Sequence, residues 1–133
     1  MASKVKTGID IQFIIIFSSS DTSVGTVYLK NIDSVNHAAE LSMFVGEDDE
    51  NNWSIASDVL KLMVHYAFIK LHLYRIYVEV LKWNVRLMQI YEKVGFMVEG
   101  FFHDQEYIHG DYVSVMYMSV INVTDGKEYY NQE

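Results

Sequence analysis

Three side chains in this 133-residue sequence pair a reactive group with a position that gives it a direction. Asn84 and Tyr91 stand seven residues apart in the run Asn84-Val85-Arg86-Leu87-Met88-Gln89-Ile90-Tyr91-Glu92-Lys93-Val94-Gly95-Phe96. That spacing is about two turns of an α-helix, so both side chains project from nearly one face. A neutral tyrosine, with an unperturbed pKa of about 10, can donate a hydrogen bond or a proton to a developing anion. The plainer reading of Tyr91 is a partly buried aromatic whose hydroxyl has found any partner. Asn84 is also a good helix N-cap on structural grounds alone. The third group is Glu40, a mid-strand carboxylate that either acts as a base or is a solvated outward-facing side chain. His37 is a weaker candidate base, since a lone histidine near a strand start is more often structural.

Composition narrows what these groups can serve. Ten basic residues face eighteen acidic ones for a net charge of −8. That balance argues against a nucleic-acid partner, whose phosphates need clustered Lys and Arg, and favours a cationic or neutral acceptor. With no cysteine there is no thiol nucleophile, disulfide or cysteine metal site, and no metal is expected. The absence suits a reducing compartment, so the cytoplasm is the expected location. A 50% hydrophobic share provides one core, and residues 1–133 read as a single domain with flexible ends at 1–8 and 122–133. No segment reaches the roughly 20 apolar residues of a membrane helix, so no membrane partner is expected. Lys4, Lys6, the apolar run 9–17 and Ser18-Ser19-Ser20 imitate a secretory leader. Asp10 and Gln12 interrupt that run, and its β-branched and aromatic content reads better as a buried strand.

The elements that must position the reactive groups follow from periodicity. Residues 9–17, 24–32 and 40–45 read as strands of an antiparallel meander. After the acidic run Glu47-Asp48-Asp49-Glu50, apolar residues recur at Leu60, Met63, Val64, Ala67, Phe68 and Leu71. This is the spacing of one face of a helix over 54–71, with its start near Ser54. Residues 75–80 alternate as a strand, and 84–94 read as a second helix stopped by Gly95 at a left-handed cap. A hairpin of 96–107 and 112–121 turns at His109-Gly110-Asp111. The order β-β-β-α-β-α-β-β makes a layered α/β domain with a mixed central sheet of about six to seven strands and two main helices.

On the residues from Asn84 to Phe96, followed by Glu99-Gly100, and on Asn36-His37-Ala38-Ala39-Glu40-Leu41, the chain resembles the GNAT N-acetyltransferases. The branch is that of the ribosomal-protein N-terminal, polyamine and amino-sugar enzymes, and the resemblance covers residues 24–121. It implies a GNAT-like fold, acetyl-CoA as co-substrate, and direct attack on the thioester by a small-molecule or peptide amine. It places Tyr91 near the CoA sulfur, Glu40 as the base on the splayed central strand, and Asn84 against the cofactor arm or an active-site water. Cofactor contacts are implied at Phe44, Val45, Asn51, Asn52, Trp53, Ser54, Ile55, Ala56, Ser57, Asn84 and Tyr91. The family's Q/R-x-x-G-x-G/A loop corresponds to Asn51-Asn52-Trp53-Ser54-Ile55-Ala56, where Ser54 replaces the first glycine and Asn51 the basic or amide position. With the acidic run beside it, this departure supports an alternative, a GNAT-fold module that binds acyl-CoA weakly or not at all and serves as a partner or regulatory domain. The family's opening strand and two helices, about 50 to 60 residues at ordinary domain sizes, have no counterpart. A homodimer or partner chain completing the acceptor pocket is the corresponding expectation.

Overall fold

The computed structural model describes residues 11–17, 22–46 and 50–123. β1 (Ile11–Phe17) pairs antiparallel with β2 (Thr22–Asp33), which pairs antiparallel with β3 (Ala38–Val45). Alternation along β2 and β3 buries Val27, Leu29, Ala39, Leu41 and Met43 and turns Tyr28, Lys30, Glu40 and Phe44 to the opposite face. At the β2–β3 turn, Asp33 Oδ1 accepts from Val35 N at 2.9 Å and Asn36 N at 3.0 Å, the local bonding that favours aspartate at turns. Gly25 lets the two strands close up, because a Cβ there would collide with the Phe44 carbonyl. β1 is an edge strand with Phe13 and Ile14 exposed, so the expectation of a buried strand is corrected: only one neighbour covers it.

α1 (Glu50–Ile69) buries Leu60, Met63, Val64 and Ala67 and packs Phe68 against the same core, the face read from the periodicity. Its start at Glu50 rather than Ser54, and its end at Ile69 rather than 71, are corrections. β4 (Arg75–Leu81) follows, then α2 (Val85–Val94). Asn84 caps α2, its Oδ1 accepting from Leu87 N at 3.3 Å. Gly95 ends the helix at φ 119°, a conformation that glycine adopts without strain. The hairpin of β5 (Met97–Ile108) and β6 (Asp111–Ile121) completes a six-stranded sheet of order β1-β2-β3-β4-β6-β5.

Both helices pack on the face that carries Leu29, Leu41, Ile76, Val78 and Met118. The other face carries no helix among the described residues. Of the expected flexible ends, residues 1–8 and 124–133 lie outside the described residues, while Asn122 N donates to Tyr74 O at 2.9 Å. Among the described residues no helix is long and apolar enough to cross a membrane.

Leu60 and Leu62 separate burial from helix propensity, since one is wholly buried and the other 69% exposed on the same helix. Leu60→Ala should cost about 2 to 5 kcal/mol through lost burial and a residual cavity. Leu62→Ala should stay within about 0.5 kcal/mol of wild type in denaturant melts.

Candidate active site

β3 and β4 are parallel, and their ladder holds only three pairs: Ala38 with Arg75, Ala39 with Ile76 and Glu40 with Tyr77. Beyond these, β3 runs on through Val45 and β4 through Leu81 with no further pairing between them. The pairing is tied at its closed end, where the His37 carbonyl accepts from both Tyr74 N at 2.7 Å and Arg75 N at 3.1 Å. His37 is thereby a turn residue in the left-handed region, φ 55°, and its place as a backbone anchor is the structural role.

Glu40 stands at the last pair, where the gap opens. The β2–β3 register is irregular between Lys30 and Asp33, and Asn31 takes φ 54° there. An irregularity of this kind re-aims a side chain, and Asn31 Nδ2 donates to Glu40 Oε1 at 3.2 Å. Partial burial pushes the Glu40 carboxyl above its ordinary value; Lys30 opposes the rise and Glu79 adds to it. Tyr77 and Glu79 share this face, and Tyr117 Oη donates to Glu79 Oε2 at 3.1 Å. Arg75, the cation on the same strand, is already engaged: Nη2 lies 2.6 Å from Glu99 Oε1 and the guanidinium stacks 5.0 Å from the Tyr77 ring centre.

Tyr91 reaches this region from the helix side. It is 1% exposed, its ring lies 5.2 Å from Phe96, and Oη makes no hydrogen bond among the described residues. Burial, with a smaller contribution from the Glu40 charge, pushes the phenol well above its ordinary pKa, so it stays protonated. The two candidates from opposite layers are therefore electrostatic neighbours. Asn84 is seen only as the α2 cap, with its Oδ1 committed to Leu87 N.

The remaining cofactor candidates divide among three places. Phe44 is exposed on the open face against Tyr28, at 6.0 Å, and Val45 packs partly on the core. Asn51, Asn52 and Trp53 lie in the first turn of α1, where backbone N–H groups have no acceptor within the helix. Ser54 is helical, with no positive φ, so the unusual backbone that glycine would permit is not used there. Ile55 is half-buried and Ala56 fully buried, so the Ala56 side chain faces the core. Trp53, Ser54 and Ser57 line a cleft of about 370 Å³ between α1 and α2, together with Asp58, Lys61, Arg86, Ile90 and Lys93. Among the described residues no His, Asp or Glu group is arranged to hold a metal.

The family profile described as "Acetyltransferase (GNAT) domain" matches residues 4–117. The chain belongs to the GNAT acetyltransferase family. It is 32% identical over 96 residues to the spermidine N(1)-acetyltransferase of Escherichia coli, covering 72% of this chain and 51% of that protein. The spermidine N(1)-acetyltransferase of Vibrio cholerae is 26% identical over 98 residues, 74% of this chain and 56% of that one. The chain thus spans about half the length of the curated relatives it matches. A dodecameric structure of spermidine N-acetyltransferase from Vibrio cholerae superposes with a TM-score of 0.78 at 22% identity, covering 93% of this chain and 70% of that one. That likeness is one of fold, and this GNAT chain shares the mixed sheet with two helices on one face.

Sequence reading missed Lys61, Arg86 and Lys93 in the cleft and Tyr77, Glu79 and Tyr117 around Glu40. The spacing of Arg86 and Lys93, seven apart on one helix, was a usable signal. The convergence of Lys61 with them depends on how the helices dock.

The raised Glu40 pKa sets a sign for stability. In the window between the unfolded and folded values the native state holds more protons, so stability falls as pH rises through it. Glu40→Gln keeps an oxygen for Asn31 and removes this loss. Thermal melts should show the variant ahead of wild type at neutral pH, with the difference shrinking as pH falls through the carboxylate range.

Proposed function

We propose that this chain transfers the acetyl group of acetyl-CoA to a primary amine by direct attack, without an acyl-enzyme intermediate. The observation that carries the reading is the parting of β3 and β4 just after the Glu40–Tyr77 pair, with Tyr91 buried on α2 within reach of the Glu40 charge. An open β3 edge offers backbone groups to which an extended chain of amides can pair like an added strand, which suits the pantetheine arm of CoA. The first turn of α1, with its N–H groups and dipole, suits the pyrophosphate. Phe44, Val45 and the run from Asn51 to Ser57 are the residues along that path.

An acceptor amine arrives as an ammonium and must lose a proton. Glu40, directly or through water, takes it; a carboxyl raised by burial is a better base than a solvated one. The free amine forms the C–N bond at the thioester carbonyl, the C–S bond breaks, and the nitrogen gives up its second proton. Tyr91 donates a hydrogen bond to the sulfur as charge develops there. Full proton transfer from Tyr91 would be uphill, because its raised pKa lies above that of a thiol at about 8.5. The hydroxyl therefore acts as a fixed donor, and the thiolate collects its proton from the reaction's own release or from solvent. Asn84, beyond capping α2, is placed in this scheme against the cofactor arm.

A small cationic amine is the acceptor class best supported. Glu40, Glu79, Glu99 and Asp33 give the open face a carboxylate excess over Lys30 and Arg75. The relatives named spermidine acetyltransferases point the same way. A second copy or partner chain laid on that face would complete the acceptor pocket. A cytoplasmic setting suits both reactants. The weak-binding module reading loses the conformational part of its Ser54 support, since Ser54 is an ordinary helical residue.

The test is thiol release from acetyl-CoA with spermidine, other primary amines and a peptide N-terminus as acceptors. No release with any of them would overturn the proposal. Tyr91→Phe should lower kcat by about 10²-fold while leaving acetyl-CoA affinity nearly unchanged, because the hydrogen bond strengthens only as charge builds on sulfur.

A further inference from the structure

β5 closes one end of the sheet, so one flank of its backbone has no strand beside it among the described residues. An open edge of this kind is a template for another strand. Its first half, Met97-Val98-Glu99-Gly100-Phe101-Phe102, carries two apolar residues on each side of a Glu-Gly centre. After β6 has covered the other flank, those four apolar side chains are still 49–58% exposed. The bulge between Val98 and Gly100 sets which way they point. In a regular strand, residues three apart face opposite sides. The extra residue here instead puts Val98 beside Met118 and Phe101 beside Met116, both on the helix-bearing face. Met97 and Phe102, beside Ser119 and Val115, share the open face. The segment therefore reads the same from either end: open face, helix face, centre, helix face, open face.

We infer that β5 pairs edge to edge and antiparallel with β5 of a second copy of this chain, about a two-fold axis at Glu99 and Gly100. Val98 of each copy then faces Phe101 of the other on the helix side, and Met97 faces Phe102 on the open side, so one patch is its own complement. That symmetry is what selects a second copy over an unrelated strand. Charge permits the approach despite −8 on each copy. Glu99 is the only charged residue of the segment, and Arg75 of its own copy holds it at 2.6 Å. It falls opposite Gly100, where an added Cβ would meet nothing within 4 Å. The pairing stops after Phe102, because the β5–β6 register breaks between Phe102 and Glu106. There Asp104 takes φ 50° and its N–H donates to Ser114 Oγ at 3.1 Å. So short a pairing is small against the roughly 800 Å² per partner of a stable interface, and the dimer is weak, with a Kd of about 1 to 100 µM. It leaves both open faces uncovered and backs the Phe102 ring, which stacks on Tyr117 at 4.7 Å.

The test is sedimentation velocity of the full chain over a concentration series spanning the expected Kd. Wild type should pass from monomer to dimer. Phe101→Glu and Val98→Lys each set a charge against an apolar neighbour and should weaken the dimer by about tenfold or more. The double variant Val98→Lys/Phe101→Glu sets lysine opposite glutamate twice and should recover dimerisation to within about threefold of wild type. All three should keep the wild-type far-UV circular dichroism and melting temperature when dilute, because both sites are half-exposed in the monomer. If either single variant melts early, the same set is made at the open-face pair as Met97→Lys, Phe102→Glu and their combination. A wild type that stays monomeric up to about 500 µM overturns the inference. Single variants that dimerise as wild type does also overturn it, because the contact then lies elsewhere. So does a double variant that stays monomeric, since the patch then lacks this register. Acetyl transfer is read in none of these arms, so the outcome is independent of the proposed activity.

Discussion

The parallel ladder between β3 and β4 is short because it is fastened at one end only. One carbonyl, that of His37, accepts two N–H groups from the start of β4, and three residue pairs later the strands separate. A longer ladder would place Glu40 mid-strand against a closed neighbour. With the ladder stopped at Glu40, the carboxylate sits at the vertex of a gap. The sheet does not fall open, because β4 is held on its far side by β6 along its whole length, from Arg75 opposite Ile121 to Leu81 opposite Val115. The parting of β3 and β4 thus leaves backbone groups of both strands without a ladder partner at an internal edge.

Tyr91 joins the two layers. Its ring is a core residue of α2, beside Leu87 and Ile90, and its position is set by the cap at Asn84 and the stop at Gly95. The Gly95 and Phe96 amides both return to the Tyr91 carbonyl, at 3.2 and 3.0 Å, so the chain reversal that starts β5 is built on the same residue that supplies the hydroxyl. Packing therefore fixes the hydroxyl in space without help from a ligand, which is what the proposed donor role requires. An ionised Glu40, half-buried beside Glu79, works against stability.

What was legible in the sequence was mostly local. The burial of Leu60, Met63, Val64 and Ala67 follows from a 3.6-residue period, and the Gly95 stop from the need for a left-handed cap. The start of α1 was misplaced because Asn51 and Asn52 favour turns over helix interiors and Ser54 reads as an N-cap. They are the first turn of a helix that docks on β2 and β3 further along. Glu40 and Tyr91 were legible as a resemblance, yet their adjacency is a property of register, since Glu40 meets Tyr77 and not some other residue of β4. Glu79 and Tyr117 become neighbours only through the β4–β6 pairing, 38 residues apart in sequence. Periodicity carries no information at that distance.

The two sides of the sheet differ in sign as well as in cover. The open face collects Glu40, Glu79, Glu99 and Asp33, while on the helix side Lys61, Arg86 and Lys93 converge in one cleft. A uniform charge of −8 would favour an ammonium everywhere and repel a polyanionic cofactor everywhere. Segregation matches the proposed pair of reactants, an anionic cofactor on the helix side and a cationic amine on the open face. The low-dielectric layer between the faces keeps the opposed fields from cancelling. The proposed direct attack, which has no acyl-enzyme to hold the acetyl group in transit, requires both reactants to be present together, and opposite charge on the two faces suits that requirement.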